Sequence, residues 1–500
     1  MPHLGFYHDD TINLVSAKAL ADGNGYRIPS LPQQPWQTKY PPVFPALLAL
    51  VWKLNPVFPL NLPLASLAVW LVFSVYVLLV RAVLRQCGVG PAVAWILTFV
   101  AALNPFATIL SISLMPELLF TTALLASMFV AERALKAESS TWLAPAAGLL
   151  AGMAYLTKSA ALPLLLTAPL CFAIRKQYKR GLLFAVAMLP AVIGWQLWVL
   201  THVSPARDLV SLYYTNYVGF QRYNVTLPDL PRVVWYNLDG CVRGIGNLLT
   251  FDTALAKFVH LERIVAVAAI AGAIRLTRRS GLLQFPFAAL GITAMLLVWH
   301  YQPDQRFVFP LYPLLIAGLW TELHNFSTAL RRAWNLRLTS QRIVAGAGAG
   351  ALAALAAFIL FTHIYGDFVF LPRLLDAYGS DLRELRPVYS WVATHTPLEA
   401  NLYAYDDPLL YLYTGRRACG LPIPPRLYYY EDDPGIARLL GTLPTFSRDQ
   451  HLDYMLLTTR DFYRDLHENG ARVSRETIER SPLFERVYFR PDAEIYRRTR

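Results

Sequence analysis

The sequence has no glycine-rich phosphate cradle: neither a GxGxxG run nor a P-loop occurs, so a nucleotide or nucleotide sugar has no ready-made seat. Cysteine is scarce. Cys87, Cys171, Cys241 and Cys419 have no metal-ligand spacing and read as free thiols, although Cys241 and Cys419 fall on one side of the topology below and could pair. Charge is sparse as well, at 16% of 500 residues, against 55% hydrophobic residues and a mean hydropathy of +0.36. That balance excludes an ordinary soluble domain and indicates a polytopic membrane protein. No internal repeat or low-complexity segment is present. The net charge of +12 sits in short basic clusters between apolar segments, which are topology signals; nucleic acid is not an expected partner.

What is abundant is long apolar sequence. Spans are expected at roughly 60–80, 91–111, 118–135, 142–157, 160–174, 182–202, 262–276, 284–300, 308–323 and 343–363. Arg81 and Arg85, Arg133 and Lys136, the run Arg175, Lys176, Lys179 and Arg180, then Arg275, Arg278 and Arg279, and finally Arg331, Arg332, Arg337 and Arg342 fall in every second loop. By the positive-inside rule those loops are cytoplasmic. The outer side then holds residues 1–59, the turns at Glu117 and Lys158, the long loop 203–261, the turn 301–307 and everything after about 364. This topology puts Met1 outside with no signal peptide or span before it, so a further upstream helix is expected.

Three regions follow. Residues 1–59 form a first outer loop with an acid pair and amphipathic helices; residues 60–366 form the membrane domain; residues 367–500 form a soluble extracytoplasmic α/β domain. In the last, 381–395 reads as a helix interrupted at Pro387, 401–405 and 454–458 as buried strands, 462–469 as a helix, and 484–489 with 495–497 as a terminal strand pair. The Gly/Ala-rich stretch 346–357 predicts close helix packing within its span. The Tyr- and Trp-rich loop 203–261 predicts interfacial helices that cover the site or guide a substrate, or else an aromatic belt.

Asp9, Asp10, Glu117, Lys158, His300, Asp304 and Arg306 come from distant parts of the chain yet all fall at outer loops or outer span ends. Ionisable groups gathered on one face of a membrane domain point to a site there. Asp9 or Asp10 is the candidate general base, the other being a helix cap, and Glu117 a second acid or a helix-start residue favoured by the dipole. A divalent cation, Mg²⁺ or Mn²⁺, is a candidate ligand of Asp10 and Glu117. Lys158 suits a lipid phosphate or simply snorkels to the interface. Arg306 could grip phosphate by its planar fork with His300 and Asp304 in support, or pair with Asp304 instead. His8, Lys39 and Tyr40 are supporting candidates from the first loop. The acid pairs of YDDP (Asp406, Asp407) and EDDP (Asp432, Asp433) read as turn residues.

HDD, AKALADGNGY, TKYPPVFPALLAL, MPELLF, LTKSAALP and RFVFPLYPLL, in that order, resemble the GT-C superfamily of membrane glycosyltransferases, near bacterial relatives of dolichyl-phosphate-mannose protein mannosyltransferases and lipid A aminoarabinose transferases. The resemblance implies an inverting, inner-membrane enzyme that takes a sugar from a polyprenyl-phosphate donor to a hydroxyl on a glycan, lipid or protein acceptor. It implies Asp9 and Asp10 as first-loop acids, Glu117 as the second-loop acid, and Lys158 and Arg306 as donor-phosphate contacts. The alternative is a transporter or flippase of lipid-linked envelope precursors, but ionisable groups near span centres, inverted repeats and broken helices around a midplane site, which that function calls for, are not expected from the sequence.

Overall fold

A computed structural model describes residues 4–136, 138–251, 259–335, 339–462 and 469–499. Among them, four helices are long and apolar enough to cross a membrane: Leu62–Gln86, Tyr178–His202, Gln305–Trp334 and the 54-residue run Arg342–His395. Shorter apolar helices, Val43–Leu54, Leu143–Thr157, Ser159–Ile174 and Gln284–Leu296, pack between them. The expected span at 91–111 is broken into Pro91–Ala102 and Pro105–Ile112, bent by 56°. The cause is local: Pro105 opens the second helix and the Asn104 side chain accepts from the amides of Phe106 and Ala107, so chain and cap both restart there.

Residues 346–357 pack closely on one side, as expected: a Cβ on Gly348 would lie 2.7 Å from the Leu330 side chain and one on Gly346 3.3 Å from that of Trp334, both in the helix Tyr312–Trp334. The other side of Thr339–Tyr365 is exposed there, and a Cβ at Gly350 would meet nothing within 4 Å. Close approach occurs also between Val259–Ser280 and Tyr312–Trp334. A Cβ on Gly272 would lie 2.0 Å from the Gly318 carbonyl oxygen, and one on Gly318 would lie 2.2 Å from that of Ala269. Near 366, where composition changes, the chain stays helical. The helix passes through a π turn, Gly366–Phe370, and continues as Leu371–His395. At about 1.5 Å per residue, a 54-residue helix is a strut about 80 Å long joining bundle and tail. Pro387 does not interrupt it: the helix runs on to His395, and Pro387 and Arg383 are both exposed, where water can take the carbonyl that the proline cannot pair.

The tail carries a five-stranded sheet, β1 (Asn401–Tyr403), β2 (Arg417–Cys419), β3 (Tyr454–Thr458), β4 (Phe484–Phe489) and β5 (Ala493–Arg498), in the order β2-β1-β3-β5-β4. β1 runs parallel to β2 and β3, while β5 is antiparallel to β3 and β4. The three-residue β2 is too short to show a period in sequence; the helix expected at 462–469 falls almost entirely outside the described residues. The four cysteines are free and buried, so Cys241 and Cys419 do not pair.

The helix His8–Ala21 lies between the two halves of the molecule. Leu14 and Ala17 join the membrane core, whereas Ile12 and Val15 join a second core with Tyr403, Cys419 and Met455 of the tail. It is therefore buried on both sides and not amphipathic: its polar residues Thr11, Asn13 and Ser16 are buried with its apolar ones and do not form a solvent face. That placement fixes its N-terminal turn, which carries His8, Asp9 and Asp10, at the junction.

Candidate active site

A pocket of about 640 Å³ opens at this junction, walled by the first-loop helix, the near ends of the bundle helices, the loop after Tyr178–His202, and the tail. Asp9 lines it. Arg306 Nη1 donates to Asp9 Oδ2 at 3.1 Å, and the Tyr40 hydroxyl donates to Oδ1 at 2.5 Å. Burial pushes the Asp9 carboxyl up, but Arg306, then Lys39 and the Tyr40 hydroxyl, outweigh it and hold the group well below the usual carboxylate range.

Asp10, one residue on, does different work. Its carboxylate accepts from the amide of Gly5 at 2.9 and 3.1 Å and from that of Tyr7 at 3.3 Å, its side chain is fully buried, and it does not line the pocket. As the third residue of the helix it reaches back to the amide of the N-cap, Tyr7, in a capping box, where the dipole favours an anion.

Glu117 begins the helix Glu117–Ala134 after Pro116 and is 1% exposed. Lys158, in extended backbone between Leu143–Thr157 and the turn Ser159–Ala161, gives it a 2.8 Å ion pair. Arg306 Nε is 3.6 Å from the same oxygen, Oε1. Arg306 thus reaches two carboxylates. Asp304 does not take the guanidinium; it caps the short helix Gln305–Val308 by accepting from the Arg306 amide at 2.9 Å. His300 packs against the rings of Tyr217, Trp299 and Tyr301.

Lys39 is presented by a turn that Gln37 closes, its Oε1 accepting from the amides of Lys39 and Tyr40 at 3.0 and 3.1 Å. The ammonium lies over the rings of Tyr213 at 4.1 Å, Tyr217 at 5.0 Å and Tyr40 at 5.3 Å. Burial lowers its pKa to about 8, although Asp9 opposes the shift. Among the described residues Lys39 is the pocket cation with no carboxylate within ion-pair distance, whereas Lys158 and Arg306 are already paired.

Sequence reasoning missed two contributions. The tail supplies Asp407, fully buried, whose Oδ1 accepts from His8 Nε2 at 3.0 Å and from the Tyr214 hydroxyl at 2.5 Å. Burial pushes its carboxyl up, against the bonds from His8 and Tyr214. Asp432, by contrast, is the turn residue expected, capping the amide of Gly435. The loop 203–261 supplies the cage tyrosines from the helices Leu209–Thr215 and Tyr217–Gln221; its density of tyrosine in LVSLYYTNYVGF was the available signal.

The residues expected to hold a divalent cation do not fit one. Both oxygens of Asp10 are turned to backbone amides, and Glu117 Oε1 already faces Lys158 and Arg306, two cations that would repel a third. Among the described residues no group of three or more His, Cys, Asp and Glu side chains is placed to bind a metal ion.

No family model matches the chain, and no curated protein matches its sequence. Solved structures do. ArnT from Cupriavidus metallidurans bound to undecaprenyl phosphate matches with a TM-score of 0.55 at 13% identity, covering 98% of this chain and 93% of that one. Its apo state matches at 0.52 and 12%, covering 97% and 92%. The Archaeoglobus fulgidus oligosaccharyltransferase in complex with zinc and sulfate matches at 0.56 and 12%, covering 98% of this chain and 69% of that one. At such identities the likeness concerns the fold, and it spans bundle and tail together: this chain is a multi-pass membrane protein with the GT-C fold.

Proposed function

We propose that the protein is an inverting glycosyltransferase that moves a sugar from a polyprenyl-phosphate donor to a hydroxyl of a glycan, lipid or protein acceptor, on the outer face of the inner membrane. The observation that carries this reading is Asp9 ion-paired with Arg306 and in the field of an unpaired Lys39, in a pocket at one end of an apolar bundle. A polyprenyl tail needs lipid and its phosphate needs cations, and this boundary supplies both. The undecaprenyl phosphate of the ArnT structure supports the donor class.

Lys39 is the first contact for the donor phosphate, because its charge is uncompensated; Arg306 is the second, with a buried Nε that has no hydrogen-bond partner. Asp9 takes the proton of the acceptor hydroxyl as its oxygen attacks the anomeric carbon. The bond from that carbon to the phosphate oxygen breaks, and polyprenyl phosphate leaves with the electron pair. A carboxylate held as low as Asp9 is a poor base while Arg306 and Lys39 face it. Arrival of an anionic phosphate draws on both cations, weakens their hold on Asp9 and raises its basicity when the donor is in place. Glu117 holds Lys158 and Arg306 in position, and no step needs a metal.

The test is a transfer assay in membranes with radiolabelled polyprenyl-phosphate pentoses and hexoses, comparing wild type with Asp9→Asn. Label reaching an acceptor in wild type alone supports the reading; folded wild-type protein that consumes no donor overturns it.

A further inference from the structure

Tyr301 lines the pocket, and no step above uses it. It stands in the turn between the helices Gln284–Leu296 and Gln305–Val308, and that turn is pinned on both sides of it to the helix Leu230–Thr250. Asn237 Nδ2 donates to the carbonyls of Leu297 and Trp299 at 3.2 and 2.9 Å, and Gln302 Nε2 donates to that of Tyr236 at 3.0 Å. The ring is held as well: it meets the rings of His300 and Phe307 edge-on, with centroids 4.7 and 5.5 Å away. These contacts deliver its hydroxyl to Arg306.

Arg306 Nη2 donates to the Tyr301 hydroxyl at 2.5 Å, while Nη1 donates to Asp9. A phenol oxygen can accept and still give its proton. Arg306 fills the accepting role, and among the described residues no acceptor lies within hydrogen-bond distance to take the proton. Burial raises the pKa of the phenol against the pull of Arg306, so the proton stays on the oxygen. A cation donating to that oxygen polarises the O–H bond and makes its hydrogen the better donor. Tyr301 is thus a neutral, fixed donor in the pocket that Asp9 lines.

The transfer proposed above has a use for such a group. While the sugar donor is intact, the oxygen bound to the anomeric carbon is an ester oxygen, a weak acceptor. As the incoming hydroxyl oxygen bonds to that carbon and its proton goes to Asp9, the carbon–oxygen bond breaks, the electron pair stays on the phosphate oxygen, and the phosphate gains a second negative charge. A hydrogen bond to a charged oxygen is about twice as strong as one to a neutral oxygen. Lys39 and Arg306 attract the phosphate in both states, whereas a neutral hydroxyl gains mainly in the second, and only such a difference lowers the barrier.

We propose that Tyr301 is a further catalytic residue: its hydroxyl, oriented by Arg306, donates a hydrogen bond to the phosphate oxygen that leaves the anomeric carbon, and keeps its own proton throughout. The proposal rests on the glycosyltransferase reading and adds to it the group that meets the leaving group's charge.

The experiment compares wild type with Tyr301→Phe, as full chains in nanodiscs, using the radiolabelled polyprenyl-phosphate sugar that wild type consumes, and measures the binding of that donor and of polyprenyl phosphate, the leaving product. Tyr301→Phe should slow single-turnover transfer by a factor of about 10² and weaken polyprenyl phosphate about tenfold, with donor affinity within about threefold of wild type. A role confined to holding Arg306 in place would weaken donor and product alike; that result, or a single-turnover rate within about threefold of wild type, overturns the proposal. Tyr301→3-fluorotyrosine, which keeps the shape and acidifies the phenol, should bind polyprenyl phosphate more tightly than wild type does, and it decides if Tyr301→Phe does not fold; equal or weaker binding overturns the proposal. Active wild type with an unimpaired Tyr301→Phe sinks this role and leaves the enzyme, whereas folded wild type that consumes no donor takes both down.

Discussion

Arg306 Nη1 lies 3.1 Å from Asp9 Oδ2, although 297 residues separate the two in sequence. This contact joins the first loop to the bundle and is the strongest of the influences that lower the pKa of Asp9, a lining residue of the pocket.

Asp9 and its neighbour Asp10 are expected to separate cleanly on substitution. Asp9→Asn should keep its fold and lose activity by a factor of about 10² to 10⁴, the range for a general base. Asp10→Asn keeps an acceptor for Gly5 and Tyr7 but loses the charge at the helix start, and should lose about 1 kcal/mol of stability with kcat within tenfold of wild type. Single-turnover rates and thermal melts of both variants check this; a catalytic collapse in Asp10→Asn with Asp9→Asn active would reverse the assignment.

Lys39 gives the donor a pH dependence. Its ammonium is the binding form and its pKa is about 8, so donor affinity should be present below that pH and fall as pH rises through it. KM for the donor measured from pH 6 to 10 should rise along that limb. In Lys39→Arg the limb should vanish, and in Lys39→Met KM should be raised tenfold or more at every pH, since tenfold corresponds to about 1.4 kcal/mol.

The His8 and Asp407 pair ties the tail to the turn that carries Asp9. Asp407→Ala leaves His8 Nε2 and the Tyr214 hydroxyl without their acceptor, and should cost about 1 to 3 kcal/mol of stability. Because His8 adjoins Asp9, kcat should fall too. Hydrogen exchange of the 8–21 helix should then quicken; unchanged protection there would show that the pair does not anchor the turn.

Gly318 is a packing position. The methyl of Gly318→Ala would meet backbone atoms of Ala269 and Ala273, which cannot swing aside as a side chain can. A loss of about 1 to 3 kcal/mol is expected, read as a lowered melting temperature. Gly350→Ala, mid-helix with nothing nearby, is the control and should melt no lower than wild type.

The apolar runs and alternating basic loops made the membrane bundle legible, because a lipid solvent imposes segment length and loop charge directly on composition. The strands 454–458 and 484–489 were legible for the same kind of reason: short β-prone runs bounded by turn residues. The residues of the site were legible as a set sharing one side. Their pairing was not, since nothing local tells Arg306 to prefer Asp9 and Glu117 to the nearby Asp304. Asp407 looked like any acid before a proline, and only the docking of the tail on the first-loop helix buries it against His8. Sequence alone thus determined the class of protein, the side on which its charges gather and most of its elements. The tertiary structure decided which acid caps and which faces the cations, and which lysine stays unpaired, because those outcomes depend on contacts between segments hundreds of residues apart.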